Sequence, residues 1–222
     1  KVQGYTDAMN VGLLDGIAHH LYDGSTWQAP DDFTLALQSL RATNLPVFQT
    51  EFSVEGSDGG AFETAWLIHN SLTHADAVAY VYWDLIWRWQ GNEEGGLVAV
   101  ELPDETRWQS ERGYKLRSPY YSVRHFAKFT DPGWTRVGAS ASSDAVRVSA
   151  FVSPNEDAVT VVMLNVSNTR RDVRLDNAFD GFARTIIQST DTASWQELSI
   201  PGDAPIELPA SSVTTLAFTP PG

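Results

Sequence analysis

The stretch LPVFQTEFS, Leu45 to Ser53, is apolar through Phe48 and then stops on a carboxylate, Glu51. An ionised Glu is almost never buried alone, because losing its water costs several kcal/mol or raises its pKa. Either the strand has simply reached solvent at Glu51, or it delivers a carboxylate to a site at its end. The segments on both sides decide between the two.

Upstream, DGIAHHLYDG (Asp15–Gly24) is a short apolar run closed by Gly and reads as a strand. PDDFTLALQSLRATN (Pro30–Asn44) carries Asp31 and Asp32 where a helix begins and Phe33, Leu37 and Leu40 at helical spacing. Downstream, GGAFETAWLIHNSLTHA (Gly59–Ala75) places Phe62, Trp66 and Leu67 on one helical face. DAVAYVYWDLIW (Asp76–Trp87) begins as a third strand. A polar insertion, QGNEEGGLVAVELPDETRWQSERG, reads as loop, and SPYYSVRHFAKFT (Ser118–Thr130) reads as another helix. Strands alternating with helices predict a parallel sheet with helical crossovers, its strands buried on both faces. After DPGW the pattern changes. AVRVSAFVS, AVTVVMLNVS, ARTIIQST, SWQELSI and SVTTLAFT are β-branched or alternating runs separated by Asn, Asp, Pro and Gly, which predict an antiparallel β-sandwich. The expected division is therefore 1–132, the C-terminal part of an α/β barrel, and 133–222, a β-sandwich.

With 222 residues and 42% hydrophobic content the chain can build a large core. Its formal charge of −13 argues against nucleic-acid or anionic-membrane partners. The absence of cysteine removes disulfides, thiolate catalysis and Cys-type zinc sites. The opening KVQGYTDAMN has neither an initiator Met nor an apolar leader and reads as the middle of a longer protein. Asn165-Val166-Ser167 fits a glycosylation sequon, a triplet common by chance.

In an α/β barrel, chemistry sits where strands end. Here the strand ends offer His19, His20 and Tyr22; Glu51; and Tyr82, Trp83 and Asp84, with Trp87, Arg88 and Trp89 following. A carboxylate among tyrosine hydroxyls and flat indoles suits a sugar: rings stack on pyranose C–H faces while the carboxylate attacks the anomeric carbon. Trp66, Trp108, Trp134 and Trp195 read as packing, and Trp83 reads equally as wall or core. His19 and His20 are adjacent in a strand and point to opposite faces, and His69 and His74 lack helical ligand spacing, so no metal or other cofactor is expected. The charges of GNEEGG and PDET read as solvated loops. No phosphate-binding glycine loop and no G-x-S-x-G elbow occur.

HHLYDG, VFQTEFS, AYVYWDLIWRW, ERGYKLRSPYYSVRHFAKFTDPGWTRV and LPASSVTTLAF together resemble glycoside hydrolase family 30, in the family's order and over essentially the whole chain. The resemblance is nearest to the bacterial xylanase branch. It implies a (β/α)8 barrel joined to a side β-sandwich, secretion, and a retaining hydrolase of xylan or a related β-glycan. Under it, Glu51 matches the nucleophile, Tyr22 a tyrosine beside it, and Trp83 an aromatic subsite wall. His20, Tyr82, Trp87 and Arg88 complete the expected substrate-binding set.

Two departures stand out. Members specific for glucuronoxylan carry paired arginines after the last strand, where this chain reads Ile86-Trp87-Arg88-Trp89, so only Arg88 could hold a glucuronic acid branch. The family's acid/base Glu lies in an Asn-Glu-Pro motif after the fourth strand. Here Asn92-Glu93 is followed by Glu94 and comes after the last strand. A retaining xylanase whose acid/base is supplied by an N-terminal companion chain is therefore expected. The alternatives are a family 30 enzyme for a β-1,6-glucan or a glucosylceramide-like substrate, and a non-catalytic carbohydrate-binding module.

Overall fold

A computed structural model describes residues 12–22, 29–54, 60–88, 96–100, 113–175, 182–201 and 204–220. Trp89, Asn92, Glu93, Glu94, Trp108 and the PDET stretch lie outside these, and of Arg88 only the backbone is described. The chain divides into two compact units, Lys1–Arg117 and Ser118–Gly222, each described by itself below.

In the first unit, β1 (Ile17–His20), β2 (Val47–Glu51) and β3 (Ala77–Tyr80) form a parallel sheet in the order β1-β2-β3. The connections are helical: α1 (Thr34–Arg41), entered through a 3-10 turn at Pro30–Phe33, and α2 (Ala61–His74). Asp31 does more than favour a helix start. Its Oδ1 accepts from the Trp66 indole at 2.9 Å and from Asn70 Nδ2 at 3.1 Å, so the first crossover is tied to α2. Asn70 also donates to the Pro30 carbonyl at 3.0 Å, which satisfies a fully buried amide nitrogen.

Leu21, Leu37, Val47, Phe52, Val54, Leu67, Ala75 and Ala77 make the core of this unit, between sheet and helices. Burial on both faces of the sheet does not occur among the described residues. Ile17, Val47 and Ala77 are buried, while Ala18, Phe48 and Val78 on the opposite face are exposed, Val78 by 63%. Alternation sends successive side chains to opposite faces, and helices cover only one of them.

The long insertion, expected as loop, contains a strand, and two more flank it. β4 (Ile86–Arg88) pairs in parallel with β5 (Val98–Val100), which pairs antiparallel with β6 (Tyr114–Leu116). Three-residue strands lack the length for a periodic signal; their partners are distant in sequence.

The second unit is the sandwich. Its large sheet is antiparallel, ordered β12-β11-β14-β9-β8-β7. The strands are β7 (Thr135–Val137), β8 (Val146–Val152), β9 (Val159–Asn165), β11 (Ala183–Ser189), β12 (Gln196–Leu198) and β14 (Ser212–Thr219). β10 (Arg171–Val173) and β13 (Ile206–Leu208) form a second, two-stranded antiparallel sheet. Met163, Ile186, Ile206, Leu208 and Leu216 lie at the centre of the core.

Nearly every residue of β9 and β14 is buried, on both faces. Helix α3 (Ser118–Ala127) explains this. It packs on β14 and β11, bringing wholly buried His125 against Thr215 and Ser189. The compact units thus part at Arg117/Ser118, and α3 groups with the sandwich.

Candidate active site

Three parallel strands end at one edge of the first unit's sheet, and the residues there come from β1, β2 and the segments just beyond them. Strict alternation would put Glu51 on the same face as Val47 and Gln49, which are buried. It does not go there. The β1–β2 register runs His19↔Gln49 and then His20↔Glu51, so Thr50 is an extra residue, a β-bulge. The Thr50 hydroxyl donates to the His19 carbonyl at 3.3 Å within the bulge.

Beyond the bulge the burial phase inverts: Val47 and Gln49 are buried before it, Phe52 and Val54 after it. A bulge beside a strand end re-aims the following side chain. Here it turns Glu51 out of the helix-packed core and opposite His20. That is why an apolar strand can end on a charge.

His20 Nε2 lies 3.6 Å from Glu51 Oε2, both side chains partly open to solvent. Tyr22 stands across from His20 with rings edge to face at 6.0 Å, and packs on Phe52 at 5.3 Å. Its hydroxyl is within hydrogen-bonding reach of Ser53 and Glu51. Burial pushes the Tyr22 phenol above its ordinary value; hydrogen bonding to Ser53 opposes the rise, and the negative charge of Glu51 adds to it. Tyr22 therefore stays protonated as a donor toward the carboxylate.

The third strand end behaves differently. Tyr82 is buried, and its oxygen accepts from the Val54 amide at 3.3 Å and from the Arg117 side chain. Burial raises its pKa, with the Val54 and Arg117 contacts opposing. Its hydroxyl is engaged with scaffold groups beneath the surface. Trp83, 46% exposed, is fixed through its backbone: its amide donates to the Phe52 carbonyl at 3.0 Å. Trp87 in β4 is also exposed, as are Leu85 and Ile86.

Sequence reasoning placed Asp84 at a strand end without giving it a role, and it did not single out Ser53 or Arg117. Ser53 completes the hydrogen-bond surroundings of Tyr22. Asp84 has a buried Oδ1 with no hydrogen-bond partner, and burial pushes its carboxyl above the usual range. Arg117 is only 1% exposed. No spacing rule flags a buried arginine outside a strand end, and Ser53 is legible only once the bulge is known. Among the described residues no group of three or more His, Asp or Glu could hold a metal ion, and no helix is long and apolar enough to cross a membrane.

Residues 133–216 match the glycosyl hydrolase family 30 beta sandwich domain. Glucuronoxylanase XynC of Bacillus subtilis (strain 168) is 27% identical over 94% of this chain and 47% of its own length. The chain thus spans under half the length of that curated relative. Among solved structures, a GH30 endoxylanase from Clostridium papyrosolvens superposes with a TM-score of 0.68 at 20% identity, covering 96% of this chain and 51% of that one. A family 30 subfamily 8 xylanase from Clostridium acetobutylicum does so with a TM-score of 0.64 at 23% identity, over 94% of this chain and 49% of that one. The chain is similar to the C-terminal region of family 30, xylanase-like glycoside hydrolases, through its sandwich by the family model and over 94–96% of its length by these relatives.

Proposed function

We propose, from a chain that carries a family 30 β-sandwich and resembles family 30 xylanases throughout, that it is the nucleophile-bearing part of a retaining glycoside hydrolase acting on β-1,4-xylan or xylo-oligosaccharides. The observation that carries this reading is the Thr50 bulge. It presents Glu51 at a strand end opposite His20 and beside the Tyr22 hydroxyl.

In this reading a Glu51 oxygen bonds to the anomeric carbon as the bond to the leaving oxygen breaks. A second carboxylic acid gives its proton to that oxygen. Water then attacks the glycosyl-enzyme, the second group takes the water's proton, and Glu51 leaves; two inversions give net retention. The two carboxyl groups must stand about 5–5.5 Å apart. The chain lacks the Asn-Glu-Pro motif that carries the family's acid/base, so that role is assigned to an N-terminal companion segment that also completes the barrel. Tyr22 supplies a hydrogen bond to the nucleophile and His20 a contact near it. Trp83 and Trp87 offer exposed faces for sugar stacking, and Arg88 is the one candidate for an acidic branch. Secretion follows from the same resemblance.

The binding-module alternative gains little from Trp195, which already packs parallel to Phe129 with ring centroids 6.1 Å apart and 7° between planes, and against the Arg124 guanidinium 3.9 Å from its ring centroid. The decisive experiment joins this chain to its N-terminal companion and assays linear and glucuronic-acid-branched xylan. Turnover of linear substrate that disappears in Glu51→Gln is expected. Turnover only of branched xylan would assign a required branch contact to Arg88 or the companion. Turnover confined to a β-1,6-glucan would move the reading to another sugar.

A further inference from the structure

The geometry points to Arg117 as the positioning residue that holds the exits of β2 and β3 and the start of β4 in one arrangement, and so sets where Glu51 and the two exposed indoles stand. This rests on the hydrolase reading above for its consequence in turnover, but the clamp itself is a property of the first unit.

Arg117 sits between three segments that are far apart in sequence. Its backbone amide donates to the Leu97 carbonyl at 3.0 Å, and its Nη1 donates to the Gly96 carbonyl at 2.7 Å. Its guanidinium also reaches the Tyr82 hydroxyl. Tyr82 passes the restraint on, because the same oxygen accepts from Val54, three residues after Glu51. One residue along, Trp83 donates to Phe52 at 3.0 Å, so the β2 and β3 exits are bound twice.

Gly96 carries the restraint to the other indole. It has a positive φ of 75°, and a Cβ added there would meet Trp87 Cβ at 2.9 Å, the Trp87 amide nitrogen at 3.0 Å and the Asp84 carbonyl at 3.1 Å. Its backbone therefore lies directly against the start of β4, and only glycine fits without displacement. Leu97 and Val98 then donate to the Asp84 and Leu85 carbonyls, each at 2.8 Å.

A guanidinium suits this position because its planar donors diverge toward several acceptors at once, which a lysine ammonium on a flexible stem does less well. The acceptors that meet a buried guanidinium through charge-assisted hydrogen bonds, here the Gly96 carbonyl and the Tyr82 oxygen, are held firmly in return. Small misplacements at the reacting centre are costly; about 1 Å can lower turnover on the order of 10²-fold.

The test compares wild type, Arg117→Lys, Arg117→Met and Tyr82→Phe by site-resolved amide hydrogen exchange in this chain, and by kcat and KM in the enzyme completed with its N-terminal companion. In Arg117→Met the Val54, Trp83 and Leu97 amides should exchange on the order of 10-fold faster or more, while β9 and β14 keep their rates. Arg117→Lys should recover part of that protection. Tyr82→Phe should accelerate Val54 and leave Leu97 protected. Turnover in Arg117→Met should fall on the order of 10²-fold in kcat with KM little changed. Unchanged exchange at Val54 and Trp83, or acceleration spread evenly over β1, β2 and β3, would overturn the assignment, the latter marking plain loss of stability. Should Arg117→Met fail to fold, Arg117→Lys and Tyr82→Phe decide it by the same amides. A wild-type enzyme without glycan hydrolysis would defeat the hydrolase reading and leave the exchange result standing.

Discussion

Thr50 is the inserted residue that lets Glu51 stand opposite His20, and deleting it should leave Glu51 there, because Glu51 then follows Gln49 directly and plain alternation points it to the open face while Phe52 stays buried. Urea unfolding of the Thr50 deletion should therefore show a midpoint close to wild type with no added pH dependence through the carboxylate range. A clear loss of stability at pH 7 that shrinks as the pH is lowered would mean that the carboxylate had turned into the core, where it costs several kcal/mol or takes up a proton, and would contradict the bulge. Tyr22→Phe tests the neighbouring contact: turnover in the completed enzyme should fall by about 10-fold or more with the fold unchanged by circular dichroism.

His125 makes a second residue-scale prediction. The Thr215 hydroxyl donates to the His125 carbonyl at 3.1 Å, so its oxygen is left to accept from Nδ1–H at 2.8 Å. Ser189 Oγ accepts from the Trp195 amide at 2.9 Å and donates to Nε2 at 2.8 Å. The ring is thus held as the neutral Nδ1–H tautomer, and burial lowers its pKa to about 3, with nearby Arg124 adding to the depression. An unfolded chain takes up this proton near pH 6.5, well before the folded one. The stabilisation is therefore complete above pH 6.5 and is lost as pH falls from there toward 3. The slope attributable to this group approaches about 1.4 kcal/mol per pH unit. Denaturant midpoints of the chain between pH 7 and 4, compared with His125→Gln, should show that part of the slope vanish in the variant.

At the level of elements, the longer strands and all three helices were legible because each carries a periodic apolar pattern of its own. β5, β6, β7, β10 and β13 have three residues each and were not read; what stabilises them lies elsewhere in the chain. Asn165 shows the same limit at a polar position. Read alone it is part of a sequon, but folded it is fully buried at the end of β9. Its Nδ2 donates to the carbonyls of Thr169, Leu208 and Pro209 at 2.8–2.9 Å, and its Oδ1 accepts from the Ser167 amide and hydroxyl. The side chain joins β9 to the β13 exit and has no free nitrogen for a glycan. Asn165→Ala should lower sandwich stability by roughly 2–4 kcal/mol, since several buried partners are left unsatisfied. Mass spectrometry of the folded chain from a glycosylating host should find Asn165 unmodified.

The whole molecule pairs a β-sandwich with a sheet that presents Ala18, Phe48, Val78 and Val81 openly. Strand periodicity predicted the apolar residues but not their sides: Ile17 and Val47 pack on helices, while Phe48 and Val78 do not. The barrel expected around that face remains part of the proposal, and it makes a testable claim. The chain alone should self-associate or bind an apolar dye through the open face and the edges of β1 and β3, which pair with no further strand among the described residues. Adding an N-terminal companion should abolish both effects, whereas a dye-silent monomer would count against the missing-wall reading.

The most direct test of the central claim is to trap the covalent intermediate on the completed enzyme with a fluorinated xylo-oligosaccharide that forms the glycosyl-enzyme faster than water removes it. Peptide mapping by mass spectrometry should then place one sugar adduct on Glu51, with none formed in Glu51→Gln. An adduct on any other carboxylate, or full turnover by Glu51→Gln, would contradict the account.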